Sequence, residues 1–300
     1  MLKSGPIAAK PFKMPLLFTF VLPVVGRCIG PRIPAFKGAS RIDVVQRIAA
    51  SRPAANKNII KGRGNMPGTS PQATRNDPAQ ALTAELRRGL RANANATKAP
   101  EMQAYMKTDQ PFWGVQKPIR AELLKTARAN HPIKTADALH AAVADLWSGP
   151  KREEQYLAID LALAYKRLLS PASIPLLERM LHESTNWDLV DGIVCGLVSP
   201  LILRFPELTS LPRTWISSEN FWIRRASLLC HIKHKERTDR DLLAASIVAL
   251  AHEKEFFIRK AVGWILREFG KTDPDWVRNF VAAHEDELSN LSKREALRRL

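Results

Sequence analysis

The chain has 300 residues, of which 45% are hydrophobic and 25% charged. That is enough apolar content for one large domain or two small ones, and it excludes a wholly disordered polymer. The formal net charge is +17, yet residues 1–78 carry 13 Lys and Arg against 2 Asp and Glu, while residues 79–300 carry 33 against 27. Most of the excess therefore sits on an N-terminal extension, and the rest is a moderately basic body that suits a phosphate-rich partner without requiring one.

Within the extension, residues 14–26 form an apolar run of 13 residues preceded by Lys3, Lys10 and Lys13, a pattern similar to the start of a secretion signal. The run is too short to span a bilayer as a helix, and Pro15 and Pro23 weaken any helix there. No A-x-A cleavage pattern follows it, and Arg27 directly before Cys28 opposes a lipoprotein site. The segment continues to Asp77 rich in Pro, Gly, Arg and Asn, with little periodicity. We expect residues 1–78 to be a disordered Pro/Arg-rich extension or the product of an over-early start, with Met66 as an alternative start and the body cytoplasmic. No membrane association is expected.

From residue 79 the pattern changes to helix-period apolar stripes of 10–16 residues, broken at Pro, Gly, Asn, Asp or Ser. Helices are predicted to begin near Pro78, Glu101, Pro118, Thr135, Lys151, Ala172, Asn186, Leu208, Asn220, Asp239, Glu255 and Pro274, with a last one from Ser292. Ile223-Arg224-Arg225-Ala226 recurs 35 positions later as Ile258-Arg259-Lys260-Ala261, and Trp147, Trp187, Trp222 and Trp264 recur at intervals of 40, 35 and 42. Two helices per 35–40 residues is the period of a HEAT-type array, in which each helix pair buries its apolar face only against its neighbours. The expected fold is all-α: a HEAT-like helical repeat solenoid over residues 79–300, with a concave groove.

Chemistry collects on three of these helices. Asn186 is a suitable N-cap, which puts Trp187 and Asp191 on one face, four residues apart, and leaves Asp188 as an acid that favours the helix N-terminus. Asp191 is flanked by Val190, Gly192, Ile193 and Val194, so its carboxylate either is half-buried and paired or lines the groove. Arg225 lies one repeat later and shares a face with Trp222; it either meets Asp191 or, with it, holds one phosphate–sugar unit. Trp264 follows Gly263, whose missing side chain leaves room for close approach, whereas Trp147 reads as packing.

The cysteines Cys28, Cys195 and Cys230 are odd in number and without CxxC spacing, so neither a disulfide framework nor a zinc or iron–sulfur site is expected. Cys195 and Cys230 read as small core residues. The seven histidines lack metal-ligand spacing, and His231 with His234 reads as a basic, solvated helix end. No phosphate-binding glycine motif occurs, so no metal and no cofactor is expected.

At AYMKTDQPFWGVQKPIR, REEQYLAI, WDLVD, WIRRA, FFIRKAVGWILRE and LSKREA, in order over residues 101–300, the chain resembles the AlkD-type DNA alkylation repair proteins. These are HEAT-like-repeat glycosylases that act on N3- and N7-alkylated purines. The resemblance implies Asp191 as the catalytic carboxylate, Trp187 and Trp264 as indoles cradling the lesion's deoxyribose, and Arg225 as a phosphate-contacting arginine. It places Tyr105 and Gln116 near the DNA-contacting face, and the basic residues Arg224, Arg259 and Lys260 of the repeated motif are expected there too. The implied partner is duplex DNA containing alkylated purines, bound by a monomer. The alternatives are a catalytically silent HEAT-like protein that binds structured or damaged DNA, and a protein-interaction scaffold.

Overall fold

A computed structural model describes residues 77–298 and Leu300. Residues 1–76 of the extension, with its apolar run, Met66 and Cys28, lie outside the described residues. Among the described residues every regular element is helical. Helix α1 (Pro78–Ala92) starts on a proline behind Asp77, whose carboxylate accepts from the Ala79 amide. It is followed by α2 (Lys98–Met106), α3 (Lys117–Asn130), α4 (Ala136–Trp147) and α5 (Arg152–Ala164). Helix α6 (Ile174–Glu183) leads to α7 (Trp187–Ile193), which runs through a π-helical turn (Val194–Val198) into α8 (Ser199–Arg204). The chain closes with α9 (Leu211–Trp215), α10 (Phe221–Leu229), α11 (Arg240–Leu250), α12 (Phe256–Phe269), α13 (Pro274–Ala283) and α14 (Asn290–Ala296).

The starts are set by local chemistry. Thr135, Asn186, Asn220, Asp239, Asp273 and Ser289 each cap a helix by accepting a backbone N–H in its first turn. Pro274 occupies a first-turn position where its missing N–H costs nothing.

The helices stack in two rows. Helices α3, α5, α7, α10, α12 and α14 contact one another in succession, and α4, α6, α9, α11 and α13 pack behind them. One apolar core runs between the rows from Ala79 to Ala296. Polar cross-links follow the repeat: Trp147 Nε1 donates to Glu183 at 2.7 Å, Arg225 Nη1 to the Phe257 carbonyl at 2.5 Å, and Ser292 Oγ to the Arg259 carbonyl at 3.0 Å. Each spans one repeat, so the period seen in the sequence is the spacing of the stack. The described residues form a helical repeat solenoid. No helix among the described residues is long and apolar enough to cross a membrane.

One expectation is corrected. His231 and His234 do not mark a solvated helix end; both are buried, at 4% and 6% exposure. After α10 the chain turns beneath α8, where His234 Nε2 meets the Ser199 carbonyl at 3.0 Å and Ser199 Oγ donates to the Ile232 carbonyl at 2.5 Å. Burial, with the neighbouring His234 charge second, pushes the His231 imidazole down to about 3. It lowers His234 as well.

Candidate active site

Three neighbouring helices of the first row, α7, α10 and α12, supply the site. The α7 start is fixed by Asn186, whose Oδ1 accepts from the Trp187 amide at 2.8 Å while its Nδ2 donates to the Met106 carbonyl at 2.6 Å. That second bond ties the start of α7 to the end of α2, beside Tyr105. Trp187 is half-buried against the core, and Asp191 follows one turn on.

Asp191 and Arg225 meet. Arg225 Nε donates to Asp191 Oδ1 and Nη2 to Oδ2, both at 2.9 Å, a bidentate fork between α7 and α10. The arginine side chain is 2% exposed and the aspartate 13%, so the carboxylate keeps a small open edge while the guanidinium is enclosed. Burial pushes the Asp191 carboxyl above its ordinary range, and the Arg225 charge and hydrogen bonds oppose that shift. Trp264 of α12 lies with its ring centroid 6.0 Å from the Arg225 guanidinium carbon and is half-buried. The arrangement presents one desolvated carboxylate with an indole one turn before it on its own helix and a second indole beside its arginine partner, suited to stabilising positive charge.

The missing side chain of Gly263 leaves room for close approach, and what approaches is α14. A Cβ there would lie 2.5 Å from Glu295 Cβ and 2.8 Å from the Ser292 carbonyl oxygen. The glycine admits α14 against α12. Trp222, on the Arg225 helix, is 8% exposed and packs between Phe221 and Phe257, with centroids at 4.3 and 5.0 Å.

The basic residues of the repeated motif are engaged within the protein. Arg224 pairs with Glu253 at 2.6 Å and donates to the Ser218 and Glu219 carbonyls. Arg259 Nε donates to the Glu253 carbonyl, and Lys260 pairs with Glu295 at 2.9 Å. Tyr105 is 45% exposed on α2, and Gln116 is exposed at the N-cap of α3.

Sequence reasoning missed two polar groups. Glu153 is fully buried, and its carboxylate accepts the amides of Trp113, Gly114 and Val115 at 2.8–3.0 Å. Gly114 has φ +79°, and a Cβ there would fall 2.2 Å from the Asn95 carbonyl oxygen, so the loop holding Gln110 to Gln116 closes only on glycine. Asp188 sits in the first turn of α7, as expected, and is in addition bound by Arg152 of α5. The signal for that pairing was present, because the two residues lie one repeat apart, like Asp191 and Arg225.

A solenoid with a carboxylate–guanidinium fork and two half-buried indoles on consecutive repeats defines a HEAT-like protein with a candidate catalytic face. Residues 86–300 match the model of the family described as DNA alkylation repair enzyme, and the chain belongs to that family. It is therefore an enzyme whose substrate is DNA. Among solved structures it is similar to a predicted DNA alkylation repair enzyme from Enterococcus faecalis, with 33% identity, TM-score 0.64, and coverage of 69% of this chain and 96% of that one. No curated protein matches the chain.

Proposed function

We propose that the chain is a DNA glycosylase that hydrolyses the N-glycosidic bond of N3- or N7-alkylated purines in duplex DNA. The observation that carries this reading is Asp191, left a small open edge and held by the Arg225 fork, with Trp187 one turn before it on α7 and Trp264 beside Arg225, in a chain of the alkylation repair family. Alkylation gives the base a formal positive charge. When the bond from C1′ to the base nitrogen breaks, its electron pair goes to the nitrogen and the base leaves neutral. Positive charge then develops on the sugar. Ionised Asp191 stabilises that charge and orients the water that adds to C1′, and the water's surplus proton passes to the carboxylate or to solvent. The π-faces of Trp187 and Trp264 lie along the sugar and the cationic lesion.

The size of the site is in keeping with this chemistry. A labile cationic lesion needs about 10²–10⁴-fold acceleration, about 3–5 kcal/mol, and one preorganised electrostatic group supplies that order of stabilisation. An unmodified purine lacks the built-in leaving group and would stay intact, which gives selectivity without an enclosing base pocket. In this reading Arg225 acts through Asp191, since its guanidinium faces inward. Tyr105, Gln116, Arg224, Arg259 and Lys260 are proposed to border the bound backbone.

The test is release of 7-methylguanine and 3-methyladenine from methylated duplex DNA by the full chain and by Asp191→Asn. The substitution removes charge and keeps shape, so base release should vanish while DNA affinity stays. An Asn variant with full activity would rule out Asp191 as the catalytic group. A wild type that binds DNA tightly and releases nothing would make the chain a silent DNA-binding member of its family.

A further inference from the structure

Asp188 lies one residue after Trp187 and three before Asp191, and the chemistry above leaves it without a role. Its carboxylate is fully engaged. Arg152 Nη2 donates to Oδ1 at 2.5 Å, Arg152 Nε to Oδ2 at 3.2 Å, and the Tyr156 hydroxyl to Oδ2 at 2.5 Å. The same guanidinium reaches further, with Nη1 donating to Gln110 Oε1 at 2.8 Å and to Thr185 Oγ1 at 3.1 Å. The Arg152 amide donates to the Pro111 carbonyl at 3.0 Å. Arg120 covers the Tyr156 ring at 4.6 Å, and the Arg152 side chain is 0% exposed against 11% for Asp188.

Stability alone is a poor account of this cluster. Taking a guanidinium and a carboxylate out of water costs about as much as their attraction returns, and a well-packed apolar substitute often folds as well or better. What the network supplies is geometry. Both Asp188 oxygens are fixed by donors from α5, and Arg152 also grips Thr185, just before the Asn186 cap. The first turn of α7 therefore has one permitted rotation about its axis. On the opposite flank Arg225 of α10 grips the same helix through Asp191. Two forks, from α5 and α10, hold one short helix from both sides, and that helix carries Trp187 and Asp191.

We propose that Arg152, Tyr156 and Asp188 form a positioning network that sets the rotation of α7 and so aims Trp187 and Asp191 at the sugar of the lesion. The proposal rests on the glycosylase reading. None of the three touches substrate; they act through the helix they hold. Misaiming a reacting group by about 1 Å can cost about 100-fold in rate without loss of binding.

The experiment measures single-turnover base release from methylated duplex DNA, DNA affinity and thermal stability for the full-length wild type, Tyr156→Phe, Arg152→Lys and Trp187→Phe, and for Tyr156→Phe combined with Trp187→Phe. Tyr156→Phe removes one donor and keeps the ring, so it folds even if Arg152→Lys does not. Release should slow about 10-fold in Tyr156→Phe and about 100-fold in Arg152→Lys, with DNA affinity within about twofold. The combined variant should lose less than the product of its single losses, because both changes act on the same turn. Amide exchange over residues 187–191 should quicken in Tyr156→Phe, while exchange in α12 stays as in the wild type. Wild-type release and exchange in Tyr156→Phe would overturn the proposal, as would a slowing that merely tracks lost DNA affinity. A wild type that releases no base sinks the glycosylase reading and this catalytic role with it.

Discussion

Arg225 does two things at once: it neutralises a desolvated carboxylate and closes the seam to α12 through the Phe257 carbonyl. Removing it leaves Asp191 enclosed and without its partner. Arg225→Ala should destabilise the fold by about 3–5 kcal/mol, and the carboxyl, already raised by burial, should take up a proton and stop base release. Arg225→Lys keeps the charge and loses the fork, so it should fall between. Thermal unfolding together with base release at pH 7 and pH 9 checks this, the higher pH restoring part of the release in the alanine variant by re-ionising Asp191. If Arg225→Ala instead weakens DNA binding and leaves stability untouched, the guanidinium works on phosphate and the inward fork is incidental.

Helix α14 reaches α12 only because residue 263 has no side chain. Its Glu295 then takes charge-assisted bonds from Lys260 and Arg267 of α12, so the seam is apolar at its centre and ionic at its edge. Gly263→Ala should push the two helices apart, cost about 1–3 kcal/mol and move the neighbouring Trp264. A lowered melting temperature together with slower base release is expected, and a variant matching the wild type in both would remove α14 from any part in shaping the site. At this scale the sequence was highly legible. Caps and breaks located the helices because Asn, Asp, Ser and Thr leave local signatures, as at Asn220, Asp239 and Asp273. Helix α2 begins three residues before the expected Glu101, because the side chain that caps its first residue is Asn95, two positions before the Thr97 boundary, and not the boundary residue itself. The π-turn at Val194–Val198 was invisible, since VCGLV is apolar in either geometry. The burial of His231 and His234 lies beyond the reach of a local pattern, because the loop that carries them packs under α8, where His234 meets the carbonyl of Ser199, about one repeat away.

For the whole molecule, the buried imidazoles make stability depend on pH. His231 has an ordinary value of 6.5 and falls to about 3 in the fold, chiefly through burial. The folded state thus binds its proton more weakly than the unfolded chain, so this contribution is fully present above about 6.5 and is lost as the pH falls from 6.5 towards 3. At pH 5 the loss is about 2 kcal/mol, and His234 adds in the same direction. Urea unfolding at pH 7 and pH 5 should show the decline, and His231→Phe should flatten it; an equal decline in that variant would place the acid sensitivity elsewhere. The same loop that buries these rings grips Ser199, at the head of α8, while Arg152 and Arg225 grip α7. One continuous run of helix is thus anchored by different elements before and after the π-turn that joins α7 to α8. A π-turn is in effect one surplus residue in an α-helix, and one residue is about 100° of rotation. With α7 held by its two forks, deleting a single residue from that turn would swing α8 by about 100° and carry Ser199 out of reach of the loop that grips it, so the docking of everything after the turn depends on one extra residue.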